Sequence, residues 1–177
     1  MEQKANVWKA NLTNGVLLGL AGVVYTLILY FLDLTTNKPL TNAFMLIQLI
    51  LLFFLLKSYR DNYMHRMITF GQAVGAGVVI CLYSSIIMAV FSYILYAVID
   101  PGLIDKMIAL SEEASLKRGF TQEQVDAGMN FTKKIMNPPV LTIMSLFFGT
   151  LMGTVMSLII AIFVRKEGNP LIDTPEN

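Results

Sequence analysis

Residues 67–99 read MITFGQAVGAGVVICLYSSIIMAVFSYILYAVI, a run without a single lysine, arginine, aspartate or glutamate. A helix rises about 1.5 Å per residue, so this run is longer than the hydrocarbon core of a bilayer, which is roughly 30 Å thick. A second run of the same kind covers residues 135–164. Both runs therefore predict helices that cross a membrane.

The composition of the whole chain favours the same environment. Of its 177 residues, 55% are hydrophobic and only 14% are charged, whereas soluble domains carry about 25% charged residues. A small globule could not bury so much apolar surface, so we expect the lipid bilayer to cover part of it. The net charge of +1 gives no reason to expect nucleic acid as a partner.

Two further apolar runs in the first third of the chain predict spans at about 14–32 and 40–56. The first is longer than the apolar region of a signal peptide, roughly 7–15 residues, and no A-x-A-like cleavage site follows it, so we expect it to be retained. With spans at 68–99 and 138–164, the prediction is an all-α integral membrane four-helix bundle that forms one domain over residues 1–177.

The segment 100–136 between spans three and four is predicted to form an amphipathic helical hairpin outside the membrane. Apolar residues recur at helical spacing over 103–114, and the residues KRG at 117–119 are typical of a helix end. Thr121 and Gln124 then have the spacing of a capping box. The hairpin is expected to lie on the bilayer, to fold back on the spans, or to bind a partner.

The distribution of cations predicts the orientation. Four spans place both termini on one side, and five of the six cations on the opposite side fall in the segment 100–136. Because cations near short flanks mark the cytoplasmic side, we expect cytoplasmic termini and an external hairpin. The cations Lys57, Arg60 and Arg66 of a predicted polar loop, 57–66, either contact anionic lipid, at about 1 kcal/mol each, or serve only as the topology signal.

Small residues four apart occur in three predicted spans, and such rows leave a groove into which another helix can pack. One interpretation is that the grooves hold the four helices of this chain together. The other is that they form a seam with a second copy or a different membrane protein. The candidate packing or interaction residues are Ser145, Gly149, Gly153, Ser157 and Ala161 in span four and Gly71 and Gly75 in span three, where Gly77, Cys81 and Ser85 form a further row.

The residues needed for common catalytic sites are scarce. One histidine, His65, and one cysteine, Cys81, cannot supply a metal site or a catalytic Cys-His pair. Asp33 and Asp100 each follow the end of a span, where an aspartate is normally a solvated boundary residue. We therefore predict no catalytic residues, no cofactor, no metal and no enzymatic activity.

Two hypotheses for function remain open. The first is a small non-catalytic membrane protein that acts by helix packing with itself, as a homo-oligomer, or with another envelope membrane protein. The alternative is a small permease or channel for a neutral or lipid-like solute, because ion-coupled carriers usually keep an ionisable group within the membrane and the predicted spans contain none.

Several short motifs, taken in their order along the chain, also carry a family resemblance. They are WKAN at 8–11, YRD at 59–61, FGQA at 70–73, IDPG at 99–102, and the capping box at 121–124 before Pro138. The chain resembles domain-of-unknown-function family 4199, uncharacterised four-span membrane proteins of Bacteroidota, over nearly its whole length. The resemblance implies a location in the bacterial inner (cytoplasmic) membrane and supplies no catalytic residues.

Overall fold

The computed structural model describes residues 6–167 and is built from helices. Four of them are long and apolar enough to cross a membrane. The chain is therefore an all-α integral membrane protein, and the predicted fold class is confirmed. The elements are α1 (Val7–Phe31), α2 (Lys38–Tyr63), α3 (Phe70–Ile94) with a π-helical turn (Leu95–Ile99), α4 (Gly102–Lys117), α5 (Gln122–Ile135) and α6 (Pro138–Val164).

Local side-chain caps set where these helices begin. The Thr121 side chain accepts from the backbone N–H of Gln124, and the Gln124 side chain accepts from that of Thr121, which confirms the predicted capping box at α5. Asn137 caps α6 in front of a proline in its first turn. Between α4 and α5, Gly119 has a φ of 89°, the left-handed conformation that glycine adopts without strain.

The central helix of the bundle is α3, which packs along α1 on one side and along α6 on the other. Gly15 and Gly19 of α1 face Tyr83 and Ile87 of α3, so α1 and α3 run parallel. Since α6 runs antiparallel to α3, the hairpins α1–α2 and α3–α6 have the same direction. α2 completes the bundle with smaller contacts to the other three helices.

The bundle has two ends. We call the end with the α1–α2 loop and the α4–α5 hairpin the hairpin end, and the end with the α2–α3 turn the terminal end. A continuous core of fully or nearly fully buried side chains fills the terminal half, including Leu52, Leu56, Ile80, Met156 and Ile160. Large apolar side chains such as Leu17, Phe147 and Phe163 point outward along the spans, where lipid covers them.

The boundary between α2 and α3 differs from the sequence-based prediction. The segment 57–66, predicted as a polar loop, is helical as far as Tyr63, and the turn itself is short. Loss of apolar character ended the predicted span, but polar residues continue a helix equally well when they have partners. Tyr59 is buried in this extension, and the turn closes through His65 and Arg66, both with positive φ.

Candidate functional site

The row of small residues in α6 packs against the row in α3. A Cβ placed on Gly153 would lie 2.6 Å from the Cys81 Sγ, and one placed on Gly149 would lie 2.7 Å from the Ser85 Oγ. The Ser157 Oγ fills the space at Gly77 and donates to the Gly153 carbonyl at 2.7 Å. Within residues 6–167 these groups form a closed seam between two helices of one chain, which leaves no groove there for another molecule.

The two end residues of the α6 row, Ser145 and Ala161, are buried to different extents. Ala161 is fully buried in the core of the terminal half. Ser145 is only half-buried, and its Oγ donates to the Thr142 carbonyl one turn earlier in α6. The seam is therefore tightest from Gly149 to Ala161.

The other predicted packing pair, Gly71 and Gly75, is not part of a packed interface in this chain. No heavy atom lies within 4 Å of the Cβ position of either glycine, and both are exposed. α3 instead buries Ala73 and Ala76 at this level. Successive helical residues are about 100° apart, so a residue two positions from Ala73 points away from the contact. Gly71 and Gly75 therefore have no packing role within the described bundle, and their role as interaction residues for another molecule stays a prediction.

The three cations proposed to contact anionic lipid have different environments. Arg60 donates from Nε to Asp61 at 2.8 Å and from Nη1 to the carbonyl of Val164 at 3.1 Å. Its side chain is only 16% exposed, so Arg60 joins α2 to the end of α6 and is not free to bind lipid. Lys57 and Arg66 are exposed.

The residues considered for chemistry are spread through the molecule. His65 is exposed in the α2–α3 turn, while Cys81 is buried in the seam between α3 and α6. Asp33 is exposed and Asp100 is half-buried at the hairpin end. In the part of the chain that the structure describes, no three His, Cys, Asp or Glu residues are grouped so that they could hold a metal ion.

A partly open cavity of about 290 Å³ lies at the hairpin end and is lined by α1, α2, α3, the π turn and α4. We call it the inner cavity. Leu103 and Met107 of α4 form one side of it, so α4 lies against the ends of the spans. The lining residues are Tyr25, Thr26, Leu29, Thr35, Thr41, Phe44, Met88, Ser92, Leu95, Tyr96, Leu103 and Met107.

A second cavity of about 410 Å³, which we call the mouth cavity, lies between the α1–α2 loop and α4. It shares Thr35, Thr41 and Met107 with the inner cavity, so the two spaces adjoin. Its remaining lining residues are Thr36, Lys38, Asn42, Leu110, Ser111, Ala114, Ser115, Arg118 and Met136.

The inner cavity offers mainly apolar surface to a ligand. The Tyr25 hydroxyl donates to the Leu40 carbonyl at 2.6 Å, and the Thr26 hydroxyl donates to the Gly22 carbonyl at 2.9 Å. Because these protons already have backbone partners, the two side chains present mostly carbon surface to the cavity. The Tyr25 ring also stacks on Phe44, with ring centroids 5.2 Å apart, and forms a flat aromatic wall.

The mouth cavity differs because it contains charge. Lys38, at the start of α2, and Arg118, at the end of α4, both line it, and none of its lining residues is acidic. The ion pairs among residues 6–167 are Arg60 with Asp61 and Lys117 with Glu113, so neither Lys38 nor Arg118 is neutralised by an acidic side chain there. Polarity thus increases from the inner cavity to the mouth.

Most of the chain matches a known protein family. Residues 13–166 match the family described as "Protein of unknown function (DUF4199)". The chain belongs to this family. The match includes α2 to α6 and most of α1, and therefore every residue that lines the two cavities; the family resemblance seen in the sequence is confirmed. No curated protein matches this DUF4199 chain, and no solved structure matches it either.

No sequence pattern of this DUF4199 chain predicts the cavities, although one of their walls is visible as a helix face. The apolar positions of 103–114 were grouped on one helix face, and Leu103, Met107, Leu110 and Ala114 of that face line the two cavities. The opposite wall comes from residues of α1, α2 and α3 that are distant in sequence. No local pattern indicates that they meet α4.

Proposed function

We propose that this protein is a non-catalytic membrane protein that binds a lipid-like molecule, whose apolar part occupies the inner cavity. The observation that carries the proposal is the largely apolar, partly open cavity at the hairpin end. Small-molecule sites are typically concave, largely apolar and about 300–1,000 Å³ in volume, and the adjoining cavities of about 290 and 410 Å³ together fall in that range.

The choice of ligand class follows from the lining. A polar solute would meet the hydroxyl groups of Thr35, Ser92 and Tyr96, but it would leave its other hydrogen-bonding groups facing the carbon surface of the remaining lining, which includes Leu29, Phe44, Met88 and Leu95. An unpaired polar group in such surroundings costs about 1–3 kcal/mol, whereas a hydrocarbon chain has no such groups. The lipid-like form of the permease hypothesis is therefore favoured over a small polar solute.

Binding at one end is better supported than passage across the membrane. The terminal half of the bundle is filled by Leu52, Leu56, Ile80 and Met156, each at most 2% exposed. A solute that crossed the membrane along the bundle would have to displace this core. Entry and exit at the hairpin end require movement only of α4 and the loop next to it.

We further infer that the protein lies in a bacterial inner membrane with both termini in the cytoplasm. Support comes from Lys57, Arg66, Arg165 and Lys166, which flank the spans at the terminal end. Glu123→Cys on α5 should then react in intact cells with a membrane-impermeant maleimide, and Ser58→Cys should react only after lysis. The reverse pattern would contradict this orientation.

The binding proposal is tested by photo-crosslinking. The full chain in phosphatidylcholine nanodiscs is irradiated with a palmitoyl probe that carries a diazirine near the end of its chain, and the labelled peptides are identified by mass spectrometry. Label should concentrate on residues of the inner cavity and fall at least fivefold in Met107→Trp, which fills the space. The matched control is Leu151→Trp on the exposed face of α6, which should leave the labelling unchanged.

Two results would contradict the proposal. One is label spread evenly over the lipid-facing residues of α1, α2 and α6. The other is inner-cavity label that is insensitive to Met107→Trp in a variant that keeps its helical circular dichroism.

A further inference from the structure

The two cavities differ in polarity along a single direction, and the difference indicates what kind of lipid-like molecule fits. The inner cavity is lined mainly by apolar surface together with a few hydroxyl groups, whereas the mouth cavity also carries Lys38 and Arg118. The two spaces are neighbours that share Thr35, Thr41 and Met107. A molecule that fills both would place its chain against Phe44 and its head between the two cations.

We infer that the ligand is an anionic amphiphile whose carboxylate or phosphate group binds between Lys38 and Arg118. This inference rests on the proposed function and adds the chemical class of the headgroup. The guanidinium of an arginine presents paired donors that match a carboxylate or phosphate, while a lysine ammonium acts as a point charge. Asn42 and Ser111, which also line the mouth cavity, add neutral hydrogen-bonding groups.

The charge of the mouth is not cancelled by its own lining. None of the residues around the mouth cavity is acidic, and neither Lys38 nor Arg118 takes part in an ion pair within the described part of the chain. The next cation along α4, Lys117, differs because Glu113 accepts from it at 2.6 Å. Lys38 and Arg118 are exposed, come from elements far apart in sequence, and line the same space.

The membrane itself gives a physical reason for a charged headgroup. A chain that moves from lipid into an apolar cavity gains no hydrophobic free energy, because lipid tails are as apolar as the cavity wall. Selective binding therefore has to come from the head. Charged hydrogen bonds are stronger than neutral ones, but Lys38 and Arg118 are exposed and water screens them, so we expect each cation to change affinity by about threefold.

The experiment compares probes that share one chain. Binding of radiolabelled oleate, oleoyl lysophosphatidate and monooleoylglycerol is measured with the full-length protein in phosphatidylcholine nanodiscs, and inorganic phosphate serves as the probe without a chain. The test variant is Lys38→Gln with Arg118→Gln. The matched control is Lys106→Gln with Lys133→Gln, which removes two exposed cations of the same hairpin that do not line either cavity.

The expected result has three parts. At least one of the two anionic probes should bind about tenfold or more tightly than monooleoylglycerol. The test variant should lose that advantage of about tenfold, to which both cations contribute, while it binds monooleoylglycerol as before. The control variant should behave as the wild type, and inorganic phosphate should compete only weakly, because without a chain it is not concentrated in the bilayer next to the site.

The other outcomes separate this inference from the proposal on which it rests. Equal, saturable binding of all three amphiphiles, unaffected by the test variant, would overturn the anionic headgroup and keep lipid-like binding. Absence of saturable binding for every amphiphile would overturn the proposed function. Phosphate that binds as tightly as the amphiphiles and depends on Lys38 and Arg118 would identify a free anion as the ligand and overturn the inference.

Discussion

Replacing Gly153 with alanine should destabilise the bundle, because the close contact between α3 and α6 depends on the missing side chain. A Cβ at this position would lie 2.6 Å from the Cys81 Sγ and 3.7 Å from the Cys81 Cα. Carbon atoms pack best at about 3.5–4.0 Å, so the overlap with sulfur is about 1 Å. Cys81 is itself buried, so the two helices have to separate.

The size of the effect follows from two opposing terms. Overpacking a tight interface typically costs about 1–3 kcal/mol. Alanine in place of glycine inside a helix raises the free energy of unfolding by about 0.8–1.0 kcal/mol, because alanine has the higher helix propensity. The two terms together give a net loss of about 0–2 kcal/mol. Because the added Cβ would overlap both the Cβ and the Sγ of Cys81, we expect the upper part of this range, about 1–2 kcal/mol, for Gly153→Ala and a larger loss for Gly153→Leu.

The matched control is Gly75→Ala, since no heavy atom lies within 4 Å of that Cβ position. It should leave stability unchanged or raise it by up to about 1 kcal/mol. The assay is unfolding of the full chain by titration of a mild detergent with SDS, followed by circular dichroism, together with the oligomeric state by light scattering.

Two results would refute the reasoning about Gly153. One is a Gly153→Ala variant as stable as the wild type. The other is a Gly153→Leu variant that keeps its monomeric stability but loses an oligomer, because this would place the seam between molecules and restore the association hypothesis.

Two further predictions concern charged groups at the two ends of the bundle. Arg60→Gln should lower the free energy of unfolding by about 1–3 kcal/mol, because it leaves the Val164 carbonyl without its charged donor, whereas Lys57→Gln should have little effect in the same SDS titration. The hydrogen bond from Lys117 lowers the pKa of Glu113. The pair should therefore favour the folded hairpin at a pH above the ordinary carboxyl pKa, and this contribution should be lost as the pH falls through the lowered pKa. An NMR titration of the Glu113 carboxyl carbon that shows no lowered pKa would contradict this.

The sequence predicted the elements of this fold well, because each has a local physical signal. A span is visible as an uncharged run, and α5 is visible because Thr121 and Gln124 cap it. The end of α2 was predicted wrongly because an uncharged run reports where the chain is apolar and does not report where the helix ends. α2 continues to Tyr63 through polar residues, and one of them, Arg60, donates to the carbonyl of Val164 on α6, more than a hundred positions away in the chain.

The seam shows what sequence alone could not provide. Both rows were visible, one at Gly149, Gly153 and Ser157 and the other at Gly77, Cys81 and Ser85. Spacing by four identifies a groove but not the helix that fills it, since any helix backbone can approach small residues. Only the tertiary structure shows that the two rows pack against each other and that Gly71 and Gly75 do not take part in this contact.

The position of the inner cavity also follows from the size of the residues along α1. Gly15, Gly19 and Gly22 allow α1 to lie close to α3, and this row ends at Gly22, whose Cβ position already lies 2.7 Å from the Met88 Sδ. One turn later the lining of the cavity begins with Tyr25. From here onward larger side chains hold α1 and α3 apart, so their close contact gives way to the inner cavity.

The π turn determines what covers that space. Asp100 donates its N–H to the Leu95 carbonyl at 2.8 Å, a bond that spans five residues and widens the end of α3. Leu95 and Tyr96 of this turn line the inner cavity, and α4 leaves the turn at Gly102 to bring Leu103 over the opening. α4 is joined to the spans mainly through this turn. If the protein binds an amphiphile as proposed, movement of α4 about the turn is therefore the route of entry that disturbs the fewest contacts, and the wider helix end would be both part of the wall of the site and the attachment of its cover.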